Sequence, residues 1–195
     1  MSTREEILDR IRRNQPAPAA MPAIPPFAQP AGTLLERFKT AVARMGGRVV
    51  DARADADLTA LVRNLFPDAK VVASATSEVT GNRDLATVTS PADLADVDIG
   101  IVRAEFGVAE TGSLWLTSEN FKVDSLGFLA QHLVVLIDPA TIVGNLHDAY
   151  AMRDRFDARY GVFMTGPSAT ADIEGILIHG AQGIRSMTVV PLAVR

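Results

Sequence analysis

Three places in the chain carry side chains whose types and spacing suit chemistry. The first is Glu110 in Val108-Ala109-Glu110-Thr111-Gly112-Ser113-Leu114. A carboxylate between an apolar run and a Thr-Gly turn is either a solvated turn residue or a buried acid with a raised pKa, suited to acid–base or covalent work. The second is His132, just ahead of the apolar run Leu133 to Ile137. An imidazole there is either a satisfied, half-buried residue or a proton carrier. The third is Gly166-Pro167-Ser168-Ala169-Thr170-Ala171-Asp172-Ile173-Glu174-Gly175. Its small residues let backbone N–H groups approach a ligand. Ser168 or Thr170 can cap a helix that follows, with Asp172 and Glu174 in its first turn. Those carboxylates would repel a phosphate, and no Lys is present to neutralise one. The stretch therefore reads either as a well-capped helix or as a polar site that uses a carboxylate.

Glu110, His132 and Asp172 are the catalytic candidates. Thr111, Gly112, Ser113, Gly166, Pro167, Ser168, Thr170 and Glu174 are the candidate ligand-binding residues. A shared site requires the two bends to meet over one sheet. His147 is expected mid-helix on the surface, and His179 at a helix C-terminus, where an imidazole suits the dipole. No two histidines have metal-ligand spacing, so no metal site is expected. Neither Ser113 nor Ser168 lies in a Gly-x-Ser-x-Gly elbow, which leaves a triad hydrolase unsupported.

The composition narrows the classes further. A chain of 195 residues can bury one substantial core. With 48% hydrophobic and 22% charged residues it reads as globular. A net charge of −4 gives no electrostatic support to a nucleic-acid role. There is no cysteine, hence no disulfide, thiolate nucleophile or iron–sulfur ligation by this chain. No apolar run is long enough to span a bilayer and no secretory signal is visible, so a cytoplasmic protein is expected.

These residues must be positioned by an α/β scaffold. Residues 1–14 read as a helical arm. Ser2 or Thr3 is its cap, Ile7, Leu8 and Ile11 its apolar stripe, and Arg4, Arg10, Arg12 and Arg13 its basic remainder. Residues 15–32 hold Pro16, Pro18, Pro22, Pro25, Pro26 and Pro30 and read as an extended tether. Residues 33–195 form the α/β domain. It opens with a helix from Thr33 to the Gly46-Gly47 stop, a strand at Arg48-Val49-Val50 and a helix from Asp57 to Pro67. A strand at Lys70 to Ala73, another at Ala86-Thr87-Val88 and a short helix from Ser90-Pro91 follow. Asp98 to Ala109 reads as a long strand or bulged strand pair, and Ser113 to Thr117 as its antiparallel return. Asp138-Pro139 is expected to open one helix carrying Ile142, Val143, Leu146, Tyr150 and Phe156. After the strand at Val162, a helix with Ile173, Ile176 and Leu177 is expected to run to Gly180, before a last strand from Met187 to Val194.

The motifs around Glu110, His132 and Gly166–Glu174, in that order, resemble those of lactate-utilization protein C and its LUD-domain relatives. The opening Arg4-Glu5-Glu6-Ile7-Leu8-Asp9-Arg10-Ile11 is similar too, so the resemblance covers almost the whole chain. It implies a NagB/RpiA/CoA-transferase-like α/β fold of layered sheet and flanking helices. It also implies a part in oxidising L-lactate to pyruvate, beside two partner proteins that bear iron–sulfur clusters. In the wider fold a glutamate in a comparable loop attacks a carboxylate or thioester, or acts as a base on a sugar phosphate, and by analogy that role falls to Glu110. The family pattern is broken at Leu129 and Ala130, where prolines are usual, and at Ala169, where a basic residue is common. Ala181-Gln182-Gly183-Ile184 replaces the usual Val-His-Gly-Pro. These departures point to a subfamily with an altered ligand or partner. Three functions compete: an accessory subunit of a lactate-oxidising system, a stand-alone transferase or isomerase using Glu110, and a small-molecule-binding module. Self-association through edge strands is compatible with each of them.

Overall fold

The computed structural model describes residues 3–23, 25, 30–53, 55–172 and 174–193. It opens with helix α1 (Thr3–Arg13), none of whose residues is buried. Ser2, the alternative cap, lies outside the described residues. Residues 15–23 have no regular secondary structure, in keeping with Pro16, Pro18 and Pro22. Thr33 then caps helix α2 (Leu34–Arg44) reciprocally. Its hydroxyl accepts from the Glu36 N–H at 3.2 Å, while the Glu36 carboxylate accepts from the Thr33 N–H at 2.9 Å. Strand β1 (Arg48–Val49) follows, then helix α3 (Leu58–Leu65), capped by Asp57.

The next strands are β2 (Val72–Ser74), β3 (Ile99–Arg103), β4 (Phe106–Val108) and β5 (Ser113–Thr117). Two short helices, α4 (Ser118–Phe121) and α5 (Leu126–Leu129), lead to β6 (His132–Ile137). Then come β7 (Ile142–Val143), helix α6 (Leu146–Ala151), β8 (Gly161–Met164), β9 (Ala169–Thr170), β10 (Ile178–His179) and β11 (Ser186–Pro191).

A five-stranded sheet in the order β1-β11-β6-β3-β2 is parallel throughout. Its central strand shows why Leu133 to Ile137 is apolar without interruption: both faces are covered. Leu133, Val135 and Ile137 join Phe38 and Val42 of α2 and Leu126 of α5 on one face. Val134 and Leu136 join Leu58 and Val62 of α3 on the other. A four-stranded sheet, β7-β4-β5-β8, lies against the first of these cores through Leu114 and Leu116. Its opposite face carries a third core, an aromatic one with Phe106 and Trp115. Strands β9 and β10 form a separate antiparallel pair. The expected layered α/β fold is present, and among the described residues no helix is long and apolar enough to cross a membrane.

Four expectations are corrected. Leu85–Thr87 is a 3-10 turn rather than a strand, because the Asp84 carboxylate accepts from the Ala86 N–H at 2.9 Å and closes the chain locally. The stretch from Asp98 to Ala109 is not continuous. It breaks at Ala104-Glu105 and passes from the parallel sheet into the second sheet. The single helix expected after Asp138 is instead a 3-10 turn (Pro139–Thr141), strand β7, α6 and a second 3-10 turn (Arg153–Phe156). The β-branched pair Ile142-Val143 finds partners in Gly107 and Val108, and Asn145 caps a fresh helix. Finally, the segment after Gly166 is the β9–β10 pair, with Thr170 opposite Ile178 and Ala169 opposite His179. Neither Ser168 nor Thr170 caps a helix there, and His179 lies in a strand. Ile173 and Val194 fall outside the described residues.

Candidate functional site

The two bends converge at their bases. Strands β5 and β8 pair antiparallel, which sets Leu114 opposite Met164. One residue before Leu114 and one after Met164, the Ser113 and Thr165 hydroxyls lie 2.6 Å apart, and Thr111 extends the chain to Ser113 at 2.7 Å. Both bends press on the C-terminal half of α2. Gly112 has φ +72, and a Cβ there would stand 2.6 Å from the Val42 nitrogen. Gly166 has φ +67, and a Cβ there would collide with the Met45 carbonyl. Only glycine fits either position. Pro167 is buried beside Gly46.

The carboxylates above these bases go separate ways. Glu110 is exposed. Its Oε2 accepts from the Leu146 N–H at 3.2 Å at the start of α6, and its carbonyl accepts from Arg44 at 3.3 Å. Asp172 is exposed and accepts from the Thr170 hydroxyl at 2.9 Å. Glu174 is exposed, with φ +54. The Ser168 N–H donates to the Ile184 carbonyl at 3.0 Å, and its hydroxyl donates to the Gln182 carbonyl. The hydroxyls of this segment are therefore spent on closing its own hairpin. The structure unites Thr111, Gly112, Ser113, Gly166 and Pro167 around α2, while Glu110 and Asp172 are engaged on different elements.

His132 belongs to another constellation. Because the sheet is parallel, residues that open its strands gather at one edge. Arg48 opens β1, His132 opens β6, Ser186 opens β11, and Asp98 and Arg185 stand one residue ahead of β3 and β11. His132 Nδ1 lies 2.8 Å from the Ser186 hydroxyl. Its ring packs on Phe66 at 4.9 Å between centroids, and the Arg48 guanidinium lies 5.1 Å from the Phe66 ring centre. The Asp98 carboxylate accepts from the Lys70 and Val71 N–H groups at 2.7 and 2.8 Å. A cleft of about 530 Å³ opens here, with Phe66, Asp68, Gln131, His132 and Arg185 in its walls. Neither Glu110 nor Asp172 lines it. Burial pushes the His132 pKa below its usual value, and Arg185 and Arg48 push it further, against the opposing pull of Asp98. The two backbone donors hold Asp98 below the usual carboxylate range.

Sequence reasoning found His132 but missed Phe66, Arg185, Arg48, Ser186 and Asp98. The available signal was positional: a polar residue at or just ahead of each apolar strand of a parallel sheet. Among the described residues no group of three or more His, Cys, Asp or Glu side chains is placed to hold a metal ion.

Residues 90–191 match the model of the LUD domain. The chain belongs to the LUD domain family. Lactate utilization protein C of Geobacillus sp. (strain WCH70) is 29% identical over 174 residues, 83% of this chain and 69% of that protein. The protein of the same name from Geobacillus kaustophilus (strain HTA426) is 28% identical over 71% of this chain and 59% of its own length. Uncharacterized protein YkgG of Escherichia coli (strain K12) is 30% identical over 44% of this chain and 39% of its own. A crystal structure of a DUF162 family protein from Deinococcus radiodurans shares the fold, with a TM-score of 0.62 at 17% identity over 82% of this chain and 96% of that one. The LUD domain match includes both bends, His132 and Arg185. Phe66 and Asp68 precede it, so the wall of the cleft is completed by the chain ahead of the LUD domain.

Proposed function

We propose that the protein is a cytoplasmic accessory component of an L-lactate utilisation system, working beside iron–sulfur partner proteins. The observation that carries this reading is the alignment of 83% of the chain with a relative named lactate utilization protein C. The chain contains no cysteine, so thiolate-held clusters would belong to its partners. The geometry weighs against a stand-alone transferase using Glu110. A carboxylate nucleophile works from a cleft that aligns and desolvates it. Glu110 instead faces solvent and caps α6 through the Leu146 N–H.

The test is purification of the tagged full chain from native cells growing on L-lactate. Co-purification of iron–sulfur proteins with lactate-oxidising activity is the expected result, and Glu110→Gln should retain both. Recovery of no iron–sulfur or lactate-oxidising protein overturns the proposal. Loss of lactate oxidation in Glu110→Gln at unchanged Tm restores the enzyme reading.

A further inference from the structure

We infer that β8 is the contact strand of a homodimer, in which two copies of the chain pair β8 with β8 antiparallel and join their four-stranded sheets into one. The interface is a free row of backbone groups beside an aromatic face.

The two main sheets have four edges, and three of them are blunted. Strands β1 and β7 run for two residues each. Strand β2 is covered. The Asn82 side-chain oxygen accepts from the Val72 N–H at 2.7 Å, and the Asn82 and Arg83 N–H groups donate to the Val72 carbonyl at 2.9 and 3.0 Å. Strand β8, Gly161-Val162-Phe163-Met164, has no such device. It is four residues long, uncharged and free of proline, the features that invite another strand. Its hydrogen bonding alternates. The Ser118 N–H donates to the Tyr160 carbonyl at 3.2 Å, so in the same antiparallel register Val162 and Met164 also bond to β5. The N–H and C=O groups of Gly161 and Phe163 therefore point outward, and among the described residues nothing bonds to them.

A second copy fits this edge because the strand is its own complement. With a two-fold axis at Val162, Gly161 faces Phe163 of the second copy, and Phe163 faces Gly161 of the second copy. Each pair exchanges both of its N–H···O bonds, which leaves no outward group of β8 unpaired. The side chains agree with that register. A Cβ at Gly161 would collide with the Trp115 indole, which fills the side-chain position of that residue. Phe163 lies on the same face, 4.7 Å from Trp115 and 5.8 Å from Tyr150 between ring centroids. Tyr150 stacks on Phe156 at 5.3 Å, yet it is 59% exposed. An incoming Phe163 opposite Gly161 lays its ring against the indole and continues the aromatic layer across the axis. The edge thus favours a strand with a large ring opposite Gly161 and a small residue opposite Phe163, and β8 meets both demands. On the other face Val162, packed against the first core, meets its own copy as a β-branched pair.

The test reads both the oligomeric state and the edge itself, in the full chain. Sedimentation velocity from low to high micromolar protein should show a monomer–dimer equilibrium. Amide hydrogen exchange by NMR over the same range should show Val162 and Met164 protected throughout, because β5 holds them. Gly161 and Phe163 should gain protection only as the dimer fills. Val162→Lys and Val162→Glu each set like charges across the axis and should raise the dimer dissociation constant roughly tenfold or more. An equimolar mixture of the two should recover the dimer, which separates repulsion at the axis from damage to the fold. Tm is measured for both variants, and the exchange experiment on the parent decides the matter if either fails to fold. A parent that stays monomeric at high micromolar concentration overturns the inference. So does a dimer whose Gly161 and Phe163 amides exchange as fast as in the monomer, or a folded pair of variants that dimerises like the parent. None of these outcomes bears on the lactate-utilisation proposal, which is tested by its own partners.

Discussion

A proton on His132 is opposed for two separable reasons: the ring is half-buried, and Arg185 and Arg48 lie close enough to repel it. The folded-state pKa is therefore below the ordinary value of 6.5. Above both values the ring is neutral in the folded and unfolded chain, and it contributes no pH dependence. As pH falls through the unfolded pKa, the unfolded chain takes up the proton first, and stability is lost until the folded ring is protonated as well. Asp98 acts in a lower window. Its folded pKa is depressed, so its contribution is present above the ordinary carboxylate value and is lost as pH falls through the folded one. Urea unfolding at pH 7 and pH 5 thus isolates the histidine. The parent should lose stability between the two, and His132→Gln should lose less. The difference should be below about 1 kcal/mol, because the ring is partly solvated and its charges are screened. Equal pH dependence in the two proteins would show that neither burial nor the arginines shift this ring.

Among the elements, the two glycine bends join left-handed backbone to close packing against other backbone. Gly112 and Gly166 combine positive φ with a missing Cβ that would enter the backbone of α2 or of Met45 just beyond it. Gly175 has φ +70 but nothing within 4 Å of its Cβ position. Alanine at Gly112 or Gly166 should cost about 3 kcal/mol or more, through left-handed strain plus a backbone collision. Alanine at Gly175 should cost only the strain, about 1 kcal/mol. Thermal unfolding of the three variants separates the two contributions. These bends also mark how far the sequence could be read. The β4–β5 hairpin was legible from Val108-Ala109-Glu110-Thr111-Gly112, because turn chemistry and alternation agree there. The β9–β10 pair was not. Ile173, Ile176 and Leu177 have helical spacing, yet Gly166, Gly175 and Gly180 all adopt positive φ, and Ser168 ties the segment to residues 180–184. Likewise His132 could be singled out from its place before an apolar run. Its neighbours Phe66, Arg185 and Arg48 come from other elements, and only the parallel register reveals them.

At the scale of the whole molecule, the chain divides by burial. From Phe38 to Val190 every main element except the β9–β10 hairpin contributes to a core. No residue of α1 is buried, with Ile7 and Ile11 at 56% and 53% exposure. An 11-residue helix is marginal in water without tertiary support. The apolar stripe opposite four arginines is therefore most stable when something covers it, and we propose that the proline-rich residues 15–32 act as a tether that lets α1 reach a surface away from its own domain. If the arm serves a partner and not the domain, deletion of residues 1–30 should leave Tm and the urea midpoint unchanged within about 0.5 kcal/mol, the scale of a surface change. Iron–sulfur partners should no longer co-purify with the shortened chain. The far-UV CD should fall by less than eleven helical residues, because a free arm is only partly helical. A clear drop in Tm on deletion would mean that α1 docks on its own domain in solution, and the arm could not then be free for a partner.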